Sequence, residues 1–590
     1  MKEKLIKALT LGISNVEKEF GISFPNLKIE VKENKGNKFG DYSTNLAMLL
    51  SKQLSKSPRE IADILVKGIL KNDFIKHVEI VEPGFINFFL SQAFRNEILV
   101  KINKEKTKFG CNKVNKKKGH KVLIEYVSSN PTGPLHVGHG RGAAFGSVLS
   151  RILKATGYEV DEEYYVNDQG RQIDLLVISV WIRYLQIFND SIPFPSKCYK
   201  GDYVKHLAEQ LKTANKEDFL LLENRRHIFD QVLSKKSMEE KDLDLLIDKS
   251  KEELKENFVK IKTFSLDSIL KNIKKDLKNF GVNHNLWFKE SSMFESLKKN
   301  NSQVQEVTRL LEKNNFIYEK DGALWFRSTD FGDEKDRVIK KEDGQSTYFT
   351  SDIAYHTNKF HRGYDKILNI WGSDHHGYFP RVRAAMKALG EDTEKFEVIF
   401  IQFANLIRGG KKVSMSTRAG EFISLEALTE EVTPEAARFF YINRKSNQHL
   451  DFDLDLAKEE SKDNPLYYIQ YAHARICSVF RKLQENGRSY NESLALQSLE
   501  RLKGDEENMI QKYLAGYPEV VSRAAANYEP HLLCYYLRQL AGNFHSYYND
   551  EKILVQDESE LQAKLFMLLA IKQVIFNGLD LLGIRSPESM

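Results

Sequence analysis

Residues 128–141, SSNPTGPLHVGHGR, decide how the rest of this chain is read. They follow VLIEYV (122–127), a β-branched apolar run suited to a buried strand. They precede GAAFGSVLSRILKATG, in which Ala144, Val148, Ile152 and Leu153 recur at helical spacing before a glycine stop. The order is strand, tight loop, helix. In an open α/β sheet such a loop lies at the carboxyl end of a strand and the positive end of a helix, where ligands bind. Three readings of its histidines stand side by side. A metal site is one, because residues three apart share a helix face, but no Cys or carboxylate is grouped with His136 and His139 to complete a zinc shell. Polar capping of the helix is the second. The third is a phosphate clamp, in which Gly138 and Gly140 let a nucleotide approach the backbone while the imidazoles donate to phosphate oxygens.

A second phosphate-handling loop corroborates the third reading. In FANLIRGGKKVSMSTRAGEF (403–422) a strand ends, two glycines turn, and Lys411, Lys412, Ser414, Ser416, Thr417 and Arg418 offer cations and hydroxyls around Gly420.

HVGH followed far downstream by SMSTR resembles the HIGH and KMSKS signatures of class I aminoacyl-tRNA synthetases, and the surrounding residues resemble the arginyl-tRNA synthetase family. The resemblance covers essentially the whole chain: GDYSTNLAM and PGFINFF first, then TYFTSDIAYH and WGSDHHGYFPRV, then NPLYYIQYAHARI and LGIRSPESM. It implies attack of the arginine carboxylate on the α-phosphate of ATP, with Mg²⁺ accompanying the nucleotide and no zinc, followed by transfer to the 3′ end of arginine tRNA. By resemblance His136, His139, Lys411, Lys412 and Arg418 carry the chemistry, and His136, Gly138, His139, Asp374, Ser414, Met415, Ser416 and Thr417 hold ATP. Glu125, Asn130, Tyr348 and Asp352 line the arginine pocket, the last two on the guanidinium side, where a carboxylate matches the donor fork. One departure stands out: Ser414 and Thr417 occupy the two lysine positions of KMSKS, and Gly133 is not the lysine some relatives place before HIGH. Whether Lys411, Lys412 or Arg418 supplies the charge stays open.

Composition fits a large soluble enzyme. The 590 residues, 41% hydrophobic and 29% charged, suffice for several domains and large cores. The net charge of +6 permits a polyanionic partner without requiring one. There is no unbroken apolar run of bilayer length and no secretory leader, and four scattered cysteines without a CxxC pair suggest reduced thiols, so a cytoplasmic monomer with no membrane contact is expected.

The expected architecture is α/β, a Rossmann-like class I catalytic domain at 118–455 with a charged helical insertion at about 190–340. An N-terminal α/β domain at 1–112 is expected to recognise the tRNA elbow, and an all-α bundle at 456–590 to bind the anticodon. In the first, KIEVKEN reads as a strand, YSTNLAMLLSKQL as a helix and VEIVEPGFINFFLS as a strand pair. By resemblance Phe85 stacks on a D-loop base and Asn87 hydrogen-bonds it, though Phe85 in a core and Asn87 at a hairpin end are equally consistent with the sequence. In the bundle Tyr468, Tyr471 and Tyr548 interleave with polar groups. Most such tyrosines are core, and some are expected to stack on anticodon-loop bases.

Overall fold

The structure, a computed structural model, describes residues 2–34, 39–69, 72–111, 120–220, 239–295, 302–413 and 423–590. Five parallel strands form its central sheet, in the order Phe396–Ile401, Lys366–Gly372, Lys121–Glu125, Glu159–Val166 and Leu286–Lys289. Lys121–Glu125 lies in the middle because both of its faces are apolar. Val122 and Ile124 enter a core shared with the helix Val137–Ala155, while Leu123 enters the opposite one with Ile353 and Ile367. From this strand the chain runs outward through two neighbours, then returns to pair Lys366–Gly372 on the other side. That reversal opens a crevice at the strands' carboxyl ends, into which the SSNPTGPLHVGH and WGSDHHG segments lead.

A small second sheet stands beside the crevice. Ala404–Arg408 pairs antiparallel with Lys411–Lys412 and parallel with Leu450–Asp453, so the hairpin leading to the second signature loop is held on both flanks.

The N-terminal unit has its own core, built from Leu5, Leu9, Leu46, Leu65 and Phe88 among others. Its antiparallel sheet runs in the order Lys32–Glu33, Tyr42–Thr44, Phe85–Leu90 and Ile75–Val81. Here the structure corrects two expectations. KIEVKEN contributes only two strand residues, and YST is a strand, with the helix starting at Leu46, because Tyr42–Thr44 pairs with Phe85–Leu90. The boundary residues 112–119 lie outside the described residues.

The segment at about 190–340 is more mixed than a charged helical insertion. Helices Asp202–Asn215, Glu240–Leu254 and Glu256–Asn279 are there, but Leu286–Lys289 is the edge strand of the central sheet, and three antiparallel strands follow between Ile317 and Lys340. Four-residue strands set among long charged helices leave too short an alternation to detect.

From Pro465 onward the chain is a helical bundle. Asn464 accepts from the N–H groups of Leu466 and Tyr467, and Pro465 opens the helix Pro465–Glu485. The helix Glu558–Leu582 is long and apolar enough to span a bilayer, yet 67% of its apolar window is buried inside the bundle. Arg438 bolts its end to the catalytic domain: this fully buried side chain donates to the carbonyls of Leu582 at 2.9 and 3.1 Å and of Phe280 at 3.0 Å.

Candidate active site

The two histidines sit where the Val137–Ala155 helix begins, and they cap it. The Gly138 N–H donates to Nδ1 of His136 at 3.1 Å, and the His136 N–H donates to Nδ1 of His139 at 3.2 Å. Capping and phosphate binding are therefore compatible. A neutral imidazole whose Nδ1 accepts carries its proton on Nε2, so each ring presents an Nε2–H donor, its tautomer set by the backbone. Burial keeps both neutral. It lowers the His136 pKa, and burial together with the neighbouring ring brings that of His139 to about 3. The rings lie 3.8 Å apart between centroids.

The two glycines also lie close to protein side chains. A side chain at Gly140 would place Cβ 2.7 Å from the Tyr441 ring, and one at Gly138 would place it 2.7 Å from the His136 ring. Both make room for protein. Tyr441 uses the space to donate to the Val137 carbonyl at 2.9 Å.

The second loop is moored to the first. Lys411 and Lys412 are exposed and pair with Arg408 and Ile407, while Ser414, Met415, Ser416, Thr417 and Arg418 lie outside the described residues. Where the described chain resumes, the Val137 N–H donates to the Ile423 carbonyl at 3.1 Å and the Leu425 N–H to the Leu135 carbonyl at 2.8 Å. At the neighbouring strand end Asp374 is exposed, 3.5 Å from His375, in the turn Ser373–His375.

Across the crevice lies an acidic pocket. Tyr348 opens the helix Tyr348–His361 and is 63% exposed, its hydroxyl beside Gly170. Asp352 follows one turn later on the same face and accepts from the Tyr378 hydroxyl. Two carboxylates that the sequence did not mark join it. Glu290, 4% exposed, hydrogen-bonds with Tyr165 and Ser351, and Asp168 accepts from the N–H and hydroxyl of Ser291 at 2.8 and 2.7 Å. Burial pushes Asp352 up to about 7, reinforced by Glu125, and pushes Glu290 up to about 7, reinforced by Asp352 and Asp168. Such a cluster suits a cation.

Glu125 and Asn130 are less available than expected. The Glu125 carboxylate, at its strand's end, is buried and taken by Lys359 Nζ at 2.5 Å and the Ser128 hydroxyl at 2.9 Å; Lys359 also donates to Asn369 at 2.8 Å. Asn130 is exposed and donates to Gln172 at 2.8 Å. Among the described residues no group of three or more His, Cys, Asp or Glu is placed to hold a metal ion.

The expected tRNA contacts divide. Phe85 is 40% exposed, as stacking requires, whereas Asn87 is 4% exposed. Asn87 sits on a strand flanked on both sides, opposite Ser43 and Glu79. In the bundle Tyr471 and Tyr548 enclose the Arg475 guanidinium, each 4.6 Å away, and Tyr468 packs on His545. All three tyrosines are half-buried.

Comparison with known proteins extends this geometry to the whole chain. Residues 3–90 match the arginyl tRNA synthetase N-terminal domain, 98–453 the class I (R) tRNA synthetase catalytic domain, and 469–590 the DALR anticodon binding domain. An arginine–tRNA ligase of Nitrosospira multiformis is 46% identical over 98% of this chain and 97% of its own, and one of Coxiella burnetii is 45% identical over 100% and 99%. A solved Campylobacter jejuni protein assigned as an arginyl-tRNA synthetase covers 85% of this chain and 100% of its own, with 33% identity and a TM-score of 0.70. The Thermus thermophilus arginyl-tRNA synthetase shares the fold over the full length of both chains at 22% identity and a TM-score of 0.70.

Proposed function

The chain belongs to the arginyl-tRNA synthetase family and attaches arginine to tRNA through an arginyl-adenylate, and from that premise we propose how its residues divide the work. In the first step a carboxylate oxygen of arginine attacks the α-phosphorus of ATP, the α–β phosphoanhydride bond breaks, and pyrophosphate leaves. In the second, a terminal ribose hydroxyl of the tRNA attacks the acyl carbon and AMP leaves.

His136 and His139 donate from Nε2 to the α-phosphate, with the positive end of the Val137–Ala155 helix behind them. Their neutral state at working pH supports this: each remains a donor of fixed direction and takes no proton. Lys411, Lys412 and Arg418, with the serines, Met415 and Thr417 of the second loop, serve the β and γ phosphates. Magnesium enters as part of MgATP, accompanying the β and γ phosphates. Asp374, exposed at the strand end, takes the ribose. The protein is read as a monomer, and as cytoplasmic, the latter supported by cysteines that form no disulfide. A division into three domains, read from the sequence as 1–112, 118–455 and 456–590, is supported by the separate N-terminal core and the three family matches, while Ile98, Leu99, Ile102 and Phe109 pack in the larger core, inside or beside the catalytic match that starts at residue 98. Phe85 stacks at the tRNA elbow, and Tyr468, Tyr471 and Tyr548 face the anticodon loop.

The observation that carries the amino-acid assignment is the acidic pocket. Burial pushes Asp352 and Glu290 up to about 7 even though Lys359 and Arg381 act against it at Asp352, and a guanidinium would add two parallel donors. Tyr348 lies on the guanidinium side of the pocket with Asp352, and Glu125, paired with Lys359, and Asn130, bonded to Gln172, lie nearer the α-amino end. ATP–pyrophosphate exchange across the twenty amino acids, with and without tRNA, tests the assignment. Exchange with arginine alone among them is expected, and exchange with any other would overturn it.

A further inference from the structure

In the turn of the signature helix that follows the two histidines, Arg141 is 2% exposed. Its Nη1 donates to the carbonyls of Gln402 at 2.7 Å and Gln448 at 2.8 Å, and its Nη2 to that of Lys445 at 2.8 Å. Among the described residues no carboxylate pairs with it. Burial lowers its pKa to about 10, and it remains a cation at neutral pH. A buried guanidinium without a counter-charge bears a desolvation cost that an apolar side chain of similar volume avoids. What it gives in return is geometry, because a rigid planar fork dictates where three carbonyls stand.

Those carbonyls belong to the mounting of the second loop. Gln402 leads into Ala404–Arg408, the strand whose hairpin partner Lys411–Lys412 precedes residues 414–422. Lys445 and Gln448 lead into Leu450–Asp453, the parallel neighbour of that strand, and the Gln402 N–H donates to the Ser446 carbonyl at 2.9 Å. The Gln402 side chain also accepts from the Ser373 hydroxyl at 3.0 Å, next to Asp374. One side chain thus holds the lead-ins of two paired strands, one of them the hairpin strand, against the helix that carries His136 and His139, and Gln402 links the first of them to the Ser373 turn.

We propose that Arg141 is a positioning residue for adenylate formation, setting the spacing between the His136–His139 turn and the hairpin that carries the 411–418 loop. The inference rests on the reading of both segments as ATP-binding. It predicts a defect confined to the nucleotide side, since none of Arg141's hydrogen bonds reaches Asp352, Glu290 or Asp168.

The test uses Arg141→Lys, which keeps the charge but loses the fork, and Arg141→Gln, which keeps amide donors without charge. ATP–pyrophosphate exchange kinetics are measured alongside the thermal shift induced by arginine. Misplacing reacting groups by about 1 Å can cost about a hundredfold, so a fall in kcat of at least about tenfold with a raised KM for ATP is expected, the arginine-induced shift staying as in the wild type. The inference falls if a folded variant exchanges with wild-type kcat and KM for ATP, if the arginine shift is lost as well, or if neither variant folds. His136→Asn in the same assay separates the two ideas. Normal exchange in that variant sinks the clamp itself, whereas slow exchange there beside normal Arg141 variants sinks only the role given to Arg141.

Discussion

At the arginine end of the crevice, Asp352, Glu290 and Asp168 crowd together with tyrosine and serine hydroxyls as partners. At the phosphate end, His136 and His139 are neutral rings locked by backbone N–H groups. The first region places carboxylates where burial resists charge, which a guanidinium would relieve under the proposed assignment. The second, under the same assignment, acts through direction, with two rings fixed by backbone N–H groups at a helix terminus. Selectivity for a cation is built from electrostatic deficit, and acceleration of phosphoryl chemistry from fixed orientation.

The contrast breaks most readily at the phosphate end. Asparagine is a good helix cap, so His136→Asn keeps the helix start while removing the Nε2–H donor. Losing one preorganised donor costs about 10²–10³ in kcat, and stopped-flow adenylate formation should fall by that order with the KM for arginine unchanged. A matching rise in the arginine KM would mean that the two ends are not separable.

At the arginine end, Asp352→Asn turns one acceptor into a donor facing guanidinium N–H groups. A charge-assisted bond of about 1.5–3 kcal/mol is lost, so kcat/KM for arginine should fall about tenfold to a hundredfold. Citrulline, the neutral isostere, should lose much less. An unchanged arginine-to-citrulline ratio in aminoacylation would remove Asp352 from the pocket's reading role.

Acidity probes the same deficit. Asp352 and Glu290 are raised to about 7 in the folded enzyme, so they contribute most to apoenzyme stability when protonated, at low pH, and lose that contribution as pH rises through about 7. Arginine requires the ionised form and reverses the loss. Its KM should therefore rise up to about tenfold per group for each pH unit below about 7, and its thermal shift should be larger at about pH 8 than at about pH 6. A flat arginine KM between those values would show that the cluster is already compensated.

The smallest effect is expected away from both ends. Phe85→Ala removes an exposed ring from the N-terminal unit, and at about 1 kcal/mol for a partly exposed stack the KM for tRNA should rise about fivefold, with exchange kinetics intact. Unfolding of this variant would instead make Phe85 a core residue.

Legibility followed chain distance. The strand, the HVGH turn and the helix are readable because they are contiguous and each obeys its own period, whereas Tyr348 and Asp352, one turn apart, are singled out only by the family resemblance. Glu290 and Asp168 were not, because they sit in a charged segment and after a strand, and only the sheet order brings them beside Asp352. The Glu125–Lys359 pairing spans 234 positions. Gly138 and Gly140 were correctly picked out as positions that must be small, but the neighbours they admit, His136 and Tyr441, are set by packing that a linear pattern does not contain. Asn87 shares the face of Phe85 by alternation yet is far less exposed, a difference set by neighbours that a linear pattern does not contain.

Order of synthesis gives the Arg438 bolt a further meaning. Ribosomes deliver the catalytic segments first, at about 5–20 residues per second, and those segments collapse as units. Arg438 is then in place while the Leu582 carbonyl, which two of its N–H groups require, is still to be made. Until residue 582 emerges, the nascent catalytic domain contains a cation short of acceptors, and such a group resists burial. The catalytic domain's last seam closes only when translation has passed the final helix, so a chain that stalls early keeps that seam open to water.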